Sequence, residues 1–593
     1  MFLRVCEFLK SNFKYSARAK RVVGKLFDIY IFLLRFRYER KLKKIGHAAF
    51  FEEVEKKFRR RSDESKSKRI STISRRLNGS HLRDVRFELA QKSVGYHVSE
   101  DSLYALLLAA QECGDIDVAW SSLKRYERLV GDLWYSFRFR KLRASPVNLL
   151  SLRDLVGSSN ASQQNANNKK ICYVLNNSLP HSTLGYAIRS QCVAECLTEK
   201  GFQVVGVTRP GFPLDAGLGF NSEMDSPLVD HVNGVEYHRL LSPNKKEMRL
   251  VDYIPKASIA LEEKFKELDP GLVVAASNFV CGLPALIACR NLGIPFIYEI
   301  RGFWELSRAS REPAYSNSIE YKVQEAMEAF VAQQADHVFT LTQAMKDELV
   351  RREVDAEKIT LLPNCCDPER FYHKPVNVQL KERLGMGGGS VVIGYIGTFS
   401  EYEGLDDIAR ACGMLHDRGL DFRLLLVGGE NTLANRLGDI SDQIKAIASE
   451  KGFVEKLIMP GRVPHDEVEG YYSIIDIAPF PRKPFPVCEM VSPMKTLEAL
   501  SSEKAVVVSS VSALAEMVHD DETGLVFKKG NIEDLADKLE ELVKNPSLRS
   551  RLGKNGREWV CRERAWESVG AIAKSVIDDT TKDVRVDGNV AER

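Results

Sequence analysis

From Lys170 onward, short runs of aliphatic and β-branched residues alternate with longer helical stretches. Residues 171–175, 202–208, 272–276, 296–300 and 337–341 read as buried strands, and so do 391–396, 422–427, 457–459, 474–480 and 505–509. Such alternation dictates parallel, doubly wound sheets, because a parallel neighbour is reached only through a crossover. Residues 374–389, closing on Gly-Met-Gly-Gly-Gly, separate the first set from the second. The chain therefore carries two α/β lobes. Open sheets of this kind bind ligands beyond the C-terminal ends of their strands, so two facing lobes share a cleft there.

The strand at 474–480 (IIDIAPF) runs into a helix that opens within 491–500 (VSPMKTLEAL). Ser492 is a favourable N-cap, and Pro493 suits the first helical position. Lys495 then sits in the first turn, against the positive end of the dipole. An anion bound there resolves the conflict, because N–H groups, dipole and ammonium all point at it. Glu498 lies three residues on and shares a face with Lys495. Two readings stand. One is a diphosphate held by Lys495 and the backbone of Ser492, Pro493 and Met494, with a ribose held by Glu498. The other is a solvated Lys–Glu pair on a surface helix.

Glu498-Ala499-Leu500, the strand at 505–509 (AVVVS), Glu516-Met517-Val518 and 524–527 (GLVF) resemble the nucleotide-sugar glycosyltransferases of the GT-B fold. The likeness is to family four (glycosyltransferase group 1), of the bacterial surface-polysaccharide type. Residues 361–367 (LLPNCCD) with Phe371 resemble that family's Pro-Asn-Gly-Val-Asp-x3-Phe segment, with Cys365 in place of the glycine. The resemblance implies an α/β architecture of two facing Rossmann-like, doubly wound lobes with an added N-terminal helical region. The divisions are 1–157 for that region, 170–375 for the acceptor lobe and 388–578 for the donor lobe. A last helix near 566–578 is expected to cross back to the first lobe.

The resemblance also implies chemistry. A sugar moves from a nucleotide-diphosphate sugar to a hydroxyl of a lipid-linked or surface glycan, with retention of configuration and without metal or cofactor. Glu498 matches the second acid of the family's Glu-x7-Glu motif. Met490 occupies the first position, and Glu489 stands one residue early. In the loop of Gly397 and Thr398, the lysine that many relatives carry is Glu403. A carboxylate cannot neutralise a diphosphate, so Arg462 and Lys495 remain as the donor-site cations. Val463 falls where relatives pack the base.

On the acceptor side, Gly185 opens a helix after the first strand and lets a sugar approach the backbone. His181 in the same loop is a proton relay or a solvated loop histidine. Glu299 and Arg301 end the strand at 296–300, near where relatives carry a His-Asp pair. Arginine stays protonated and is a poor base, but it can stabilise departing phosphate charge. A structural ion pair between the two is the competing reading.

The formal charge of +4 hides an asymmetry. Residues 1–78 carry roughly +15, so the remainder is about −11. Basic residues interleave with aromatics through residue 60, which points to an anionic membrane surface, with a helical protein-docking arm as the competing reading. The longest apolar run, 26–34, is too short to span a bilayer. Residues 62–74 and 158–169 read as polar linkers, 81–145 as helices, and 580–593 as a loose tail. The 12 Cys show no CxxC pair and read as reduced thiols of a cytoplasmic chain, peripheral on the inner membrane face. No GxGxxG follows a strand, no HExxH and no compelling Asp-x-Asp metal signature appears, and no nucleic acid is expected. A GT-B nucleotide-sugar 2-epimerase and a non-catalytic nucleotide-sugar-binding scaffold are the alternatives.

Overall fold

The computed structural model describes residues 47–58, 61–77, 82–130, 145–157, 168–217, 228–386, 389–430, 439–464 and 466–590. The chain forms two compact units, residues 1–151 with 314–324 and residues 152–313 with 325–593. The basic, aromatic stretch before residue 47 and the segment 131–144 lie outside the described residues.

The first unit contains helices α1 (His47–Phe58), α2 (Asp63–Arg76), α3 (Arg83–Tyr96), α4 (Glu100–Cys113) and α5 (Ile116–Val130). The polar stretch 62–74, expected as a linker, is helix α2. Ser62 caps it by accepting from the Ser65 N–H, and Ile70 and Ile73 join Phe50, Phe51 and Leu89 in one core. Two of its serines are buried without penalty because they bond across the helix interface. Ser67 donates to the His97 carbonyl at 2.9 Å, and Ser74 donates to that of Arg86 at 2.9 Å. Small side chains that bond to backbone let helices approach closely, so low hydrophobicity here does not mean a linker.

The second unit contains two sheets. Strands β1 (Lys170–Leu175), β2 (Gln203–Thr208), β3 (Val229–Val232), β4 (Val235–His238), β5 (Leu272–Ala276), β6 (Phe296–Ile300), β7 (His337–Thr340) and β8 (Ile359–Leu361) pair in the order β3-β4-β2-β1-β5-β6-β7-β8. Among the described residues, only β3 and β4 are antiparallel. Strands β9 (Val391–Phe399), β10 (Phe422–Glu430), β11 (Leu457–Gly461), β12 (Ile477–Phe480), β13 (Ala505–Ser509) and β14 (Leu525–Phe527) pair in the order β11-β10-β9-β12-β13-β14, all parallel. The chain order reverses at β1 in the first sheet and at β9 in the second. Those are the topological switch points where a crevice opens.

Helix α6 (Gly185–Glu199) follows β1, α7 (Phe279–Leu292) follows β5 and α8 (Trp304–Ala309) follows β6. In the second lobe α9 (Met494–Ser501) precedes β13. The last helix, α10 (Trp566–Val590), crosses back. Its Trp566, Val569, Ala573 and Ile577 share a core with Ile171, Tyr173 and Leu197 of the first lobe. It also carries into the segment expected as a loose tail.

The strand expected over 474–480 starts only at Ile477, because the preceding residues finish a helix at Ile474. A short helix, Pro486–Met490, then stands between β12 and α9. The β3–β4 hairpin and the short β8 and β14 were not legible, since runs of three or four residues carry little periodicity.

Candidate functional site: the cleft between the two sheets

A cleft of about 720 Å³ lies at the C-terminal strand ends of both lobes. Its wall includes Gly185 and Arg301 from the first lobe and Gly397, Thr398, Arg462 and Val463 from the second. Ser492, Pro493, Met494, Lys495 and Glu498 complete the set read from the sequence as donor-binding. The lobes approach closely here. A β-carbon on Gly185 would sit 3.3 Å from the Met494 methyl. Asn364 donates to the Ser492 carbonyl at 2.7 Å, and Thr342 to that of Met490 at 2.6 Å.

The head of α9 differs from expectation in one respect. The N-cap is Pro493, and no side chain caps the helix. Ser492 is one residue too early, and its backbone and hydroxyl face Asn364 instead. The first N–H groups of α9 are thus left without a side-chain cap, as an anion site requires.

Lys495 lies in this first turn. Its ammonium donates to the Tyr395 hydroxyl and pairs with Glu403 at 3.2 Å. Gly397 makes room for it, since a β-carbon there would lie 2.8 Å from the ammonium. Glu403 is buried and also clamps Arg482, which donates from Nη2 at 2.8 Å and from Nε at 3.3 Å. Arg482 Nη1 donates to the Val491 carbonyl at 2.6 Å. Burial opposes the Glu403 charge, but Arg482 and Lys495 hold its carboxyl at about 2. Burial pushes the Lys495 ammonium down, and Glu403 works against that. Glu403 therefore does not face a ligand. It positions two cations, and both line the cleft.

Glu498 accepts from the Tyr472 hydroxyl at 3.2 Å. Burial raises its carboxyl above the ordinary range, with Tyr472 opposing. Arg462 donates to the Glu430 carbonyl. Neither candidate for the first acid of Glu-x7-Glu reaches the cleft wall. Glu489 turns to the Ser512 N–H at 2.8 Å and to Lys529 at 2.5 Å, while Val487 and Cys488 line the wall instead.

The acceptor side holds a second buried cluster. Glu299 is 1% exposed and does not line the cleft. It accepts from Arg189 at 2.9 and 3.0 Å, from Arg301 at 2.8 Å and from the Tyr173 hydroxyl. Burial opposes its charge, yet Arg301 and Arg189 hold it at about 2. A carboxylate this strongly acidic and enclosed is a clamp between two guanidinium groups, not a poised base. Arg301 also donates from Nη1 to the Tyr186 carbonyl at 2.9 Å and to Ser190 Oγ at 2.8 Å. Only its Nε lacks a partner among the described residues. His181 does not line the cleft. Its Nε2 lies 3.0 Å from Asp230, which also binds Arg239.

Sequence reasoning missed Arg482, Arg189 and the two tyrosines, Tyr173 and Tyr395. Arg482 follows β12, so the rule that open sheets bind ligands beyond their C-terminal strand ends could have found it. Arg189 and the tyrosines lie inside a helix and two strands, where only tertiary packing shows what they face.

Residues 379–559 match the sequence model of the family described as glycosyl transferases group 1. Residues 185–365 match that of the glycosyl transferase 4-like domain. The chain is 25% identical over 285 residues to a 2-deoxystreptamine glucosyltransferase of Streptomyces kanamyceticus, covering 47% of this chain and 68% of that protein. It is 24% identical over 345 residues to the capsular polysaccharide biosynthesis glycosyltransferase CapM of Staphylococcus aureus, covering 54% and 84%. Its fold is shared with Anabaena HepE, solved in complex with UDP-glucose, at a TM-score of 0.53 and 14% identity, over 69% of this chain and 99% of that one. Each matched segment contributes residues to the described cleft, and together they take in more than half of the sequence. The chain belongs to the group 1 glycosyltransferases of the GT-B fold.

Proposed function

We propose that the protein transfers a sugar from a nucleoside-diphosphate sugar to a hydroxyl of a lipid-linked or surface glycan, with retention and without a divalent metal. One observation carries the reading. At the uncapped head of α9, Lys495 and Arg482 keep N–H groups uncommitted and line the cleft, with Glu498 one turn along. A diphosphate needs such donors, and a ribose needs the carboxylate. UDP-glucose on a protein of the same fold, and the polysaccharide and glucosyl relatives, support the substrate class.

In this reading the anomeric carbon–oxygen bond to the diphosphate breaks. Lys495, Arg482, Arg462 and the α9 N–H groups receive the developing charge. The acceptor oxygen bonds to the same face of the anomeric carbon, and its proton passes to a phosphate oxygen. Gly397 and Thr398 flank the phosphates, and Val463 packs the base. Arg301, with one unpartnered N–H, orients the leaving group or the acceptor from the opposite wall. Gly185 lets the acceptor close on the backbone. His181, paired with Asp230, acts at most from outside the cleft wall. Residues 1–60 hold the enzyme on an anionic membrane surface from the cytoplasmic side.

A thermal-shift panel of nucleotides and nucleotide sugars tests the donor, because a ligand of the folded state raises the midpoint. Turnover with the selected donor should survive a chelator. Product analysis with donor alone separates transfer from 2-epimerisation, which needs no acceptor. Binding without turnover against any acceptor would favour the scaffold.

A further inference from the structure

The two walls of the cleft carry different chemistry. The uncommitted cationic N–H groups cluster on the donor side, whereas Arg189 and Arg301 on the acceptor side are both clamped on Glu299. Beyond these two guanidinium groups, the side chains that the acceptor wall offers are neutral: Thr183, Leu184, Ile188, Ser277, Trp304 and Ser307. Two of these stand out. Trp304 is 40% exposed and Leu184 is 58% exposed, and both line the cleft. The Trp304 indole has no aromatic, cationic or hydrogen-bonding partner among the described residues. It is the first residue of α8, directly after the backbone that follows β6. Ser307 lies three residues on, so the indole and a hydroxyl share one helix face.

An exposed indole costs solvation unless something covers it, and its face favours polarised C–H groups while its N–H seeks an acceptor. A phosphate or carboxylate is disfavoured as the covering group, since the single uncommitted cationic N–H on this wall, Arg301 Nε, is buried. Hydroxyls interleaved with apolar side chains do not suit an alkyl chain either. A pyranose ring fits both constraints. One face presents C–H groups, and its rim presents hydroxyls. We propose that Trp304 is the stacking platform of an acceptor subsite for an uncharged pyranose, with the hydroxyls of Thr183, Ser277 and Ser307 at the rim. This deepens the glycosyltransferase reading and rests on it.

Saturation-transfer NMR of the full chain, saturated with the nucleotide diphosphate that raises its midpoint, tests the proposal. The probes are the methyl glycosides of glucose, galactose, mannose and N-acetylglucosamine, with glucose 1-phosphate as the anionic control and dodecyl phosphate as the alkyl control. At least one neutral glycoside should bind, with saturation strongest on the C–H protons of one ring face. Trp304→Ala should weaken it by about tenfold or more, and Trp304→Phe should retain part of the affinity. Both variants should keep the midpoint shift given by the nucleotide. Unchanged glycoside binding in Trp304→Ala overturns the proposal. So does binding of glucose 1-phosphate or dodecyl phosphate alone while the nucleotide still binds. If no nucleotide or nucleotide sugar shifts the midpoint, the glycosyltransferase reading falls, and this subsite with it.

Discussion

The two lobes carry the same small device in two different states. In the acceptor lobe, Tyr173 of β1, Glu299, Arg189 and Arg301 form one buried cluster. In the donor lobe, Tyr395 of β9, Glu403, Arg482 and Lys495 form the other. Each places a tyrosine of the sheet's switch-point strand beside one carboxylate and two cations. The difference is saturation. Arg189 commits Nε and both terminal nitrogens, reaching Glu299, Leu362, Pro363 and Asn364. Lys495 keeps part of its donor capacity, and its side chain is 20% exposed at the cleft. A cluster saturated but for the buried Arg301 Nε fixes a strand end, whereas one with accessible uncommitted donors has something left to give a ligand.

Replacing Glu299 should have the largest effect. Glu299→Gln leaves two buried guanidinium groups facing each other, and about 3–5 kcal/mol of stability should be lost in chemical denaturation. No nucleotide should restore it. The sign with pH follows from a carboxyl held at about 2 against an ordinary value of 4.5. Its stabilisation is present above 4.5 and is lost as pH falls toward 2. A mild loss would mean the acceptor cluster is no clamp.

Lys495→Ala should come next, read as binding and not as folding. Donor affinity should fall by about 2–3 kcal/mol in titration calorimetry, with little change in melting temperature. Wild-type affinity would remove α9 from the donor site.

Glu403→Gln sharpens the contrast. It should cost about 2 kcal/mol of stability, less than its counterpart, because water reaches this cluster. A nucleoside diphosphate should then raise the midpoint by more than it does in the wild type, since it relieves the repulsion between Arg482 and Lys495. Equal ligand shifts in both proteins would show that the phosphates do not meet this pair.

The smallest effect concerns a third buried carboxyl, which lacks the cations of the other two. Glu328 accepts from the Tyr298 hydroxyl at 2.6 Å and the Phe279 N–H at 2.8 Å, and burial pushes it up to about 7. A raised value means that stability is fully present below 4.5 and is lost as pH rises through 7. Glu328→Gln should leave stability at pH 4 unchanged and raise it by about 1–2 kcal/mol at pH 8. A flat difference across that range would show that cations, and not burial, set the charge here as well.

Much of this architecture was written in local pattern. The buried runs at 171–175, 272–276 and 505–509 are strands because continuous aliphatic stretches between crossover helices can satisfy their backbone only in a parallel sheet. Lys495 was legible because its conflict with a helix dipole is a local fact. Other features were misread for an equally physical reason. Residues 62–74 look like solvated chain until Ser67 and Ser74 find carbonyls on a neighbouring helix. Ser492 has the chemistry of a cap, but its partner is Asn364, 128 residues away.

By itself, then, the sequence determined the two parallel-sheet lobes, the strand ends that face the cleft and the anion-seeking start of α9, since each depends on neighbours within a few residues. Only the tertiary structure decided what Glu299 and Glu403 do. In the sequence they are, respectively, a carboxylate near the expected reacting centre and a charge of the wrong sign. In the fold each is enclosed between two cations contributed by distant segments, and a carboxylate's role is set by the charges that surround it after burial.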